Sequence, residues 1–229
     1  MPEPATPTVH RLRVRRTARY CTLGGAGDVR SVWYVLHGYR QLADRFIGRF
    51  ADIATLSRLV VAPEALNRFY LDDDDGLKPH GPDSPVGATW MTRHDREAEI
   101  ADYVAYLDTL DEALALPPDV RRVVLGFSQG SATAARWAAL GGRRVDRLVL
   151  WGGILPHDLP VEPNAARLRS LQPVIVCGER DRALPAERAE AEIARLREQG
   201  IEATVLRHDG GHAIDAATLQ RLAATIDPQ

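Results

Sequence analysis

The sequence predicts an α/β fold: a single domain with a mostly parallel central sheet, helices on both faces and no large lid. Three observations carry that expectation. Short, nearly continuous apolar runs recur at 31–36, 59–62, 123–125, 148–151, 174–177 and 203–206, as expected of parallel strands buried on both faces. Segments with helical spacing of apolar residues lie between them, so strand and helix alternate along the chain. The 229 residues, 45% of them hydrophobic, suffice for one buried core.

Taken in order, residues 1–8 are proline-rich and expected to be loose, leaving 9–229 as the domain. Val9, Leu12 and Val14, then Tyr20, Thr22 and Leu23, predict two short strands, and the arginines between them imply one wet face. Gly24, Gly25 and Gly27 form a turn, not a phosphate loop: no Gly-Lys-Ser/Thr follows and the next element is a strand. That strand, 31–36, stops at His37-Gly38-Tyr39-Arg40-Gln41. Leu42, Phe46, Ile47, Phe50 and Ile53 then predict a helix over 42–57, and Pro63 closes the strand that follows. Residues 64–94 lack a clear period. They include Asp72, Asp73, Asp74 and Asp75, but a calcium loop would need an aspartate where Leu71 stands, so a solvated acidic loop is expected. The stretch 92–95 has the pattern of a capping box, and Ile100, Tyr103, Val104, Leu107, Leu110 and Leu114 trace an amphipathic helix ending before Pro117. An alanine-rich helix over 131–140 is stopped by Gly141 and Gly142, and further helices are expected over 186–199 and 213–226.

Composition narrows the function. A formal net charge of -2 gives no electrostatic reason to expect nucleic acid or an anionic membrane as partner. No run approaches the roughly 18 apolar residues of a membrane span, and the N-terminus lacks the apolar core of a signal peptide. Cys21 and Cys177 read as reduced thiols, so a cytoplasmic location is expected. His80, His94 and His157 lack metal-ligand spacing with other strong ligands, so no metal is expected, and the chemistry read below requires no organic cofactor either.

The chemistry centres on Gly126-Phe127-Ser128-Gln129-Gly130, a Gly-x-Ser-x-Gly motif between a strand and a helix. A sharp strand-to-helix turn strains its central residue and leaves room only for small neighbours, which the two glycines supply. Ser128 would then stand at the carboxyl end of the sheet, with the Gln129 N–H aimed where an oxyanion forms. A serine hydroxyl is a poor nucleophile without a base and an orienting acid. His212, after Gly210-Gly211, and Asp181, after the 174–177 strand, offer both in the chain order Ser, Asp, His, each just past a strand end. Asp181 competes with Glu179 and Asp209, the latter too close in sequence to His212 to reach it easily. His208 falls on the wrong side if its strand continues, and is given no role.

With Leu36-His37-Gly38, Ala62-Pro63-Glu64, Thr89-Trp90, Gly178-Glu179-Arg180-Asp181 and Gly210-Gly211-His212, these motifs cover about 31–215. The chain resembles the α/β-hydrolase superfamily, and within it the small carboxylesterase/phospholipase family that includes acyl-protein thioesterases. The resemblance implies a Ser128, Asp181, His212 triad, a second oxyanion donor in the Tyr39 N–H, and Trp90 at the acyl site. His37 is implied to be structural. Arg40 departs from the family's His-Gly-x-Gly pattern, and arginine takes positive φ less freely than glycine; it is a candidate for reaching over the pocket to favour an acidic substrate. Met91, Phe69, Tyr70 and Leu155 are further pocket candidates. The expected substrate is a small ester or thioester with a short or soluble acyl group. A peptidase, an acyltransferase or a non-catalytic receptor could be built on the same residues.

Overall fold

The computed structural model describes residues 6–72, 79–159 and 162–227. In chain order the elements are β1 (Tyr20–Gly24), β2 (Ser31–Leu36), α1 (Ala43–Phe46), β3 (Arg58–Pro63), β4 (Asn67–Tyr70), β5 (Val86–Thr89), α2 (Arg96–Ala113) and β6 (Arg121–Phe127). They continue with α3 (Gln129–Leu140), β7 (Arg147–Trp151), α4 (Ala165–Leu171), β8 (Val174–Gly178), α5 (Ala186–Glu198), β9 (Thr204–His208) and α6 (Ala216–Ile226). Seven strands form one sheet in the order β1-β3-β2-β6-β7-β8-β9. Only β1 runs antiparallel to its neighbour; every other pair is parallel.

The parallel core follows from β2, β3 and β6, whose residues are buried except Arg121. Alternate side chains of β2 leave on opposite faces: Val32, Tyr34 and Leu36 join one cluster with Tyr103, Trp137 and Leu168, while Trp33 and Val35 join another with Phe46, Phe50 and Leu222. Helices α2 to α5 thus cover one face, and α1 with α6 the other. Because the strands are parallel, the residues following β2, β6, β8 and β9 meet at one rim of the sheet.

Four expectations need correction. Val9, Leu12 and Val14 lie in no strand and are exposed. The free edge of β3 is already taken by β1, and the arginines around Val9, Leu12 and Val14 leave no face to bury. The helix expected over 42–57 is one α-helical turn that tightens into a 3-10 stretch, Ile47–Ile53, though Ile47, Phe50 and Ile53 still pack into the core. Within 64–94, β4 and β5 pair as a small antiparallel sheet. β4 is only half-buried, β5 is the short run Val-Gly-Ala-Thr, and the connection between them is long, so the sequence carries neither an apolar run nor a tight-turn signal. The short helix α4 follows Pro163 and was not expected. Most of the acidic run, Asp73, Asp74 and Asp75, lies outside the described residues.

Candidate active site

Ser128 occupies the single residue between β6 and α3, at φ 55 and ψ -117. A non-glycine residue there carries strain on the order of 1–3 kcal/mol, so the surroundings must over-determine it. They do: the Ser128 N–H donates to Trp151 O at 2.8 Å, and Ser128 O accepts from Ser131 N at 3.0 Å. A Cβ on Gly126 would sit 2.1 Å from Gly130 O, and one on Gly130 would sit 2.2 Å from Leu36 O. Both motif glycines are therefore steric requirements of packing α3 onto β2 and β6.

Asp181 and His212 meet beside this turn. His212 Nδ1 lies 2.8 Å from Asp181 Oδ2, while Asp181 Oδ1 accepts the backbone N–H groups of Ala183 and Leu184 at 2.8 and 3.0 Å. The carboxylate is buried, its side chain 2% exposed against 30% for His212. An Nδ1–H given to Asp181 leaves His212 Nε2 as an acceptor facing outward from the pair. The imidazole packs on Phe127, the residue before Ser128, with ring centroids 4.9 Å apart. It also lies over Gly152, at φ 61, where a Cβ would come within 2.8 Å of His212 Cε1. Among the described residues Ser128 Oγ makes no hydrogen bond to His212; bonds of this kind commonly tighten only in the Michaelis complex.

The loop after β2 closes the other side. Gly38 packs so near Ser128 that a Cβ on it would lie 3.3 Å from Ser128 Cβ. Its N–H donates to Gln41 Oε1 at 2.8 Å. His37 is fully buried: its Nε2 accepts the Ala65 N–H at 3.1 Å, which leaves the proton on Nδ1 to donate to Gly38 O at 2.8 Å. Burial pushes its pKa down to about 4, so the ring is neutral and structural. Arg40 takes φ 69, the left-handed region a glycine would occupy freely. Its N–H donates to Ala88 O at 2.9 Å and Ala88 N–H returns to Gln41 O at 3.2 Å, so the loop is hydrogen-bonded to β5. A Cβ on Gly87 would lie 2.5 Å from Arg40 O.

Gln129 anchors the same region from below. Its side chain donates to Thr89 Oγ1 at 2.8 Å and Met91 O at 3.0 Å and accepts from Trp90 N at 3.2 Å. As the first residue of α3, its own N–H has no carbonyl one turn back in the helix. The segments carrying the Tyr39 and Gln129 N–H groups thus flank Ser128.

The pocket candidates separate into two groups. Tyr39 is half exposed and stacks on Phe69, centroids 5.4 Å apart, while exposed Tyr70 stacks on His80 at 3.7 Å. Exposed Arg40 donates to Leu71 O at 3.4 Å, at the hairpin end of this rim. Trp90 and Leu155, by contrast, are buried in the core. Trp90 gives its indole N–H to His37 O at 2.8 Å, so it supports the loop from behind. Met91 is half buried beside Arg136. Gln41, Gly152 and Trp151 also shape the site, beyond the residues its sequence motifs assign. Gln41, three residues after Gly38 in an otherwise assigned motif, was the one visible signal.

The fold and this site define an α/β hydrolase of the serine type. The chain belongs to the FSH1 serine hydrolase family, whose model matches residues 33–222. It is 38% identical over 106 residues to esterase OVCA2 of Mus musculus and 36% identical over 107 residues to the Homo sapiens protein. Each match covers 44% of this chain and 45% of the relative, so the chain spans a little under half the length of the curated relatives it matches. Among solved structures, acyl-protein thioesterase 2 of Zea mays superposes with a TM-score of 0.69 at 16% identity, over 92% of this chain and 98% of that one. Esterase PE8 gives 0.65 at 21% identity, over 93% and 98%. At these identities they show a shared fold. No described helix is long and apolar enough to cross a membrane.

Proposed function

We propose that this protein hydrolyses small carboxylic esters or thioesters with short or soluble acyl groups through an acyl-enzyme on Ser128. His212 takes the hydroxyl proton as Ser128 attacks the carbonyl, and Asp181 orients the ring and stabilises the imidazolium. The N–H groups of Tyr39 and Gln129 hold the oxyanion. His212 then returns the proton to the leaving group, and water releases the acid by the same route. The observation that carries this reading is the 2.8 Å pairing of His212 Nδ1 with a buried, doubly hydrogen-bonded Asp181, beside a serine held in a strained turn. The esterase OVCA2 relatives and the acyl-protein thioesterase neighbour support the substrate class. Exposed Tyr39, stacked on a partly buried Phe69, suits an accessible, modest acyl site.

The test is hydrolysis of p-nitrophenyl esters from acetate to palmitate. We expect activity greatest on the shorter chains and reduced by at least about 1,000-fold in Ser128→Ala. Unchanged turnover in that variant would remove the serine mechanism. A strong preference for palmitate would overturn the chain-length reading alone.

A further inference from the structure

We propose that His208 is a positioning residue: its imidazole, buried at the end of β9, fixes the turn that carries His212. The inference rests on the reading of His212 as the general base. His208 Nδ1 accepts the Gly210 N–H at 3.1 Å, an interaction from residue i to the N–H of i+2 that mimics an Asx turn. The backbone of the same turn is tied to the acid-bearing turn. His208 O accepts from Glu179 N at 2.8 Å and Gly210 O from Arg180 N at 3.0 Å. Beyond His212, the Trp151 indole N–H donates to Ala213 O at 2.9 Å. The base is therefore held on both sides, by His208 before it and Trp151 after it.

The ring's second nitrogen makes the assignment sharper. Because Nδ1 accepts, the proton sits on Nε2, and that atom is buried with no hydrogen-bond partner among the described residues. A buried donor without an acceptor is costly, and an apolar side chain of similar shape would avoid the cost. Packing against Trp151, whose ring centroid is 5.8 Å away, asks only for such a shape. What an apolar residue lacks is the acceptor for Gly210. The space fits this role closely, since a Cβ on Gly210 would lie 2.7 Å from His208 Nδ1.

The experiment compares His208→Phe, which keeps a ring without the acceptor, with His208→Asn, whose Oδ1 replaces Nδ1. Steady-state kinetics on a p-nitrophenyl ester are read beside thermal melts. We expect His208→Phe to lower kcat at least tenfold with KM within twofold, and His208→Asn to recover most of that loss. Equal losses in both, or full activity in His208→Phe, would overturn the proposal. If His208→Phe does not fold, amide hydrogen exchange in the wild type decides. Protection of Gly210 N–H well beyond that of Asp209 supports the proposal, and similar rates for the two overturn it. Ser128→Ala, run in parallel, isolates the underlying reading: activity surviving there would sink the serine mechanism, whatever His208 does.

Discussion

At the scale of single residues, the site depends on groups whose protonation is fixed by their surroundings. His37 is the clearest case. Its pKa falls from 6.5 to about 4, chiefly through burial, so the folded state refuses a proton that the unfolded chain accepts. Stability from this source is complete above about pH 6.5 and is lost as pH falls towards 4. At 1.36 kcal/mol per unit, the loss approaches about 3 kcal/mol. Urea unfolding at pH 7 and pH 4.5 should show most of this difference in the wild type and a flatter dependence in His37→Gln; equal slopes would assign the effect to other groups. The pairing of Asp181 with His212 was legible in the sequence because both residue types fall just after parallel strands, in an order that few arrangements share. His208 was not legible. The expectation that it faces away came from strand alternation, whereas its place is set by an i to i+2 hydrogen bond made after the strand ends.

At the scale of elements, the β4 and β5 hairpin acts as a brace for the loop after β2. Arg40 and Gln41 exchange backbone hydrogen bonds with Ala88, and Gly87 lets the two backbones approach. A methyl group at Gly87 would meet Arg40 O at 2.5 Å and Arg40 Cα at 2.8 Å, backbone atoms that must move. Gly87→Ala should therefore displace the Tyr39 N–H, proposed above as an oxyanion donor, and lower kcat by about 10- to 100-fold, given that one such donor is commonly worth about 100-fold or more. Full activity in a folded variant would show that the brace is dispensable. This element was hidden from sequence reading because β4 is short and half-buried, and its partner follows a long acidic connection. The buried strands β2, β3 and β6 were readable for the opposite reason: burial on both faces demands an unbroken apolar run. The connection after β2 was harder, since α1 and the 3-10 stretch after it share the apolar spacing of one longer helix.

At the scale of the whole molecule, the two rims of the sheet have different tasks. The carboxyl rim holds the candidate site, and the amino rim is clamped by the end of α6. Arg58, at the start of β3, lies buried beneath the Trp33 ring and donates to Asp227 Oδ2 at 2.9 Å, Asp227 O at 2.6 Å and Ile53 O at 3.0 Å. Ser31, at the start of β2, donates to the same carboxylate, and Arg121, at the start of β6, donates to Ile226 O. Asp227→Ala leaves a buried guanidinium without its counter-charge and should cost about 2–4 kcal/mol in urea unfolding, with kcat unchanged. A loss of activity without a loss of stability would contradict this division of labour. The interlock of the Asp181 and His212 turns has an evolutionary consequence. It is made by main-chain groups of Glu179, Arg180, His208 and Gly210, while the side chains of Glu179, Arg180 and Asp209 face solvent. Selection can thus rewrite the surface beside the site, for solubility or for a new neighbour, and leave the alignment of Asp181 with His212 untouched. Gly178 has no such freedom, since a Cβ there would lie 2.3 Å from Gly210 O. Descendants of this chain can diverge in charge at those three exposed positions, but a lineage that loses the glycine must rebuild the junction.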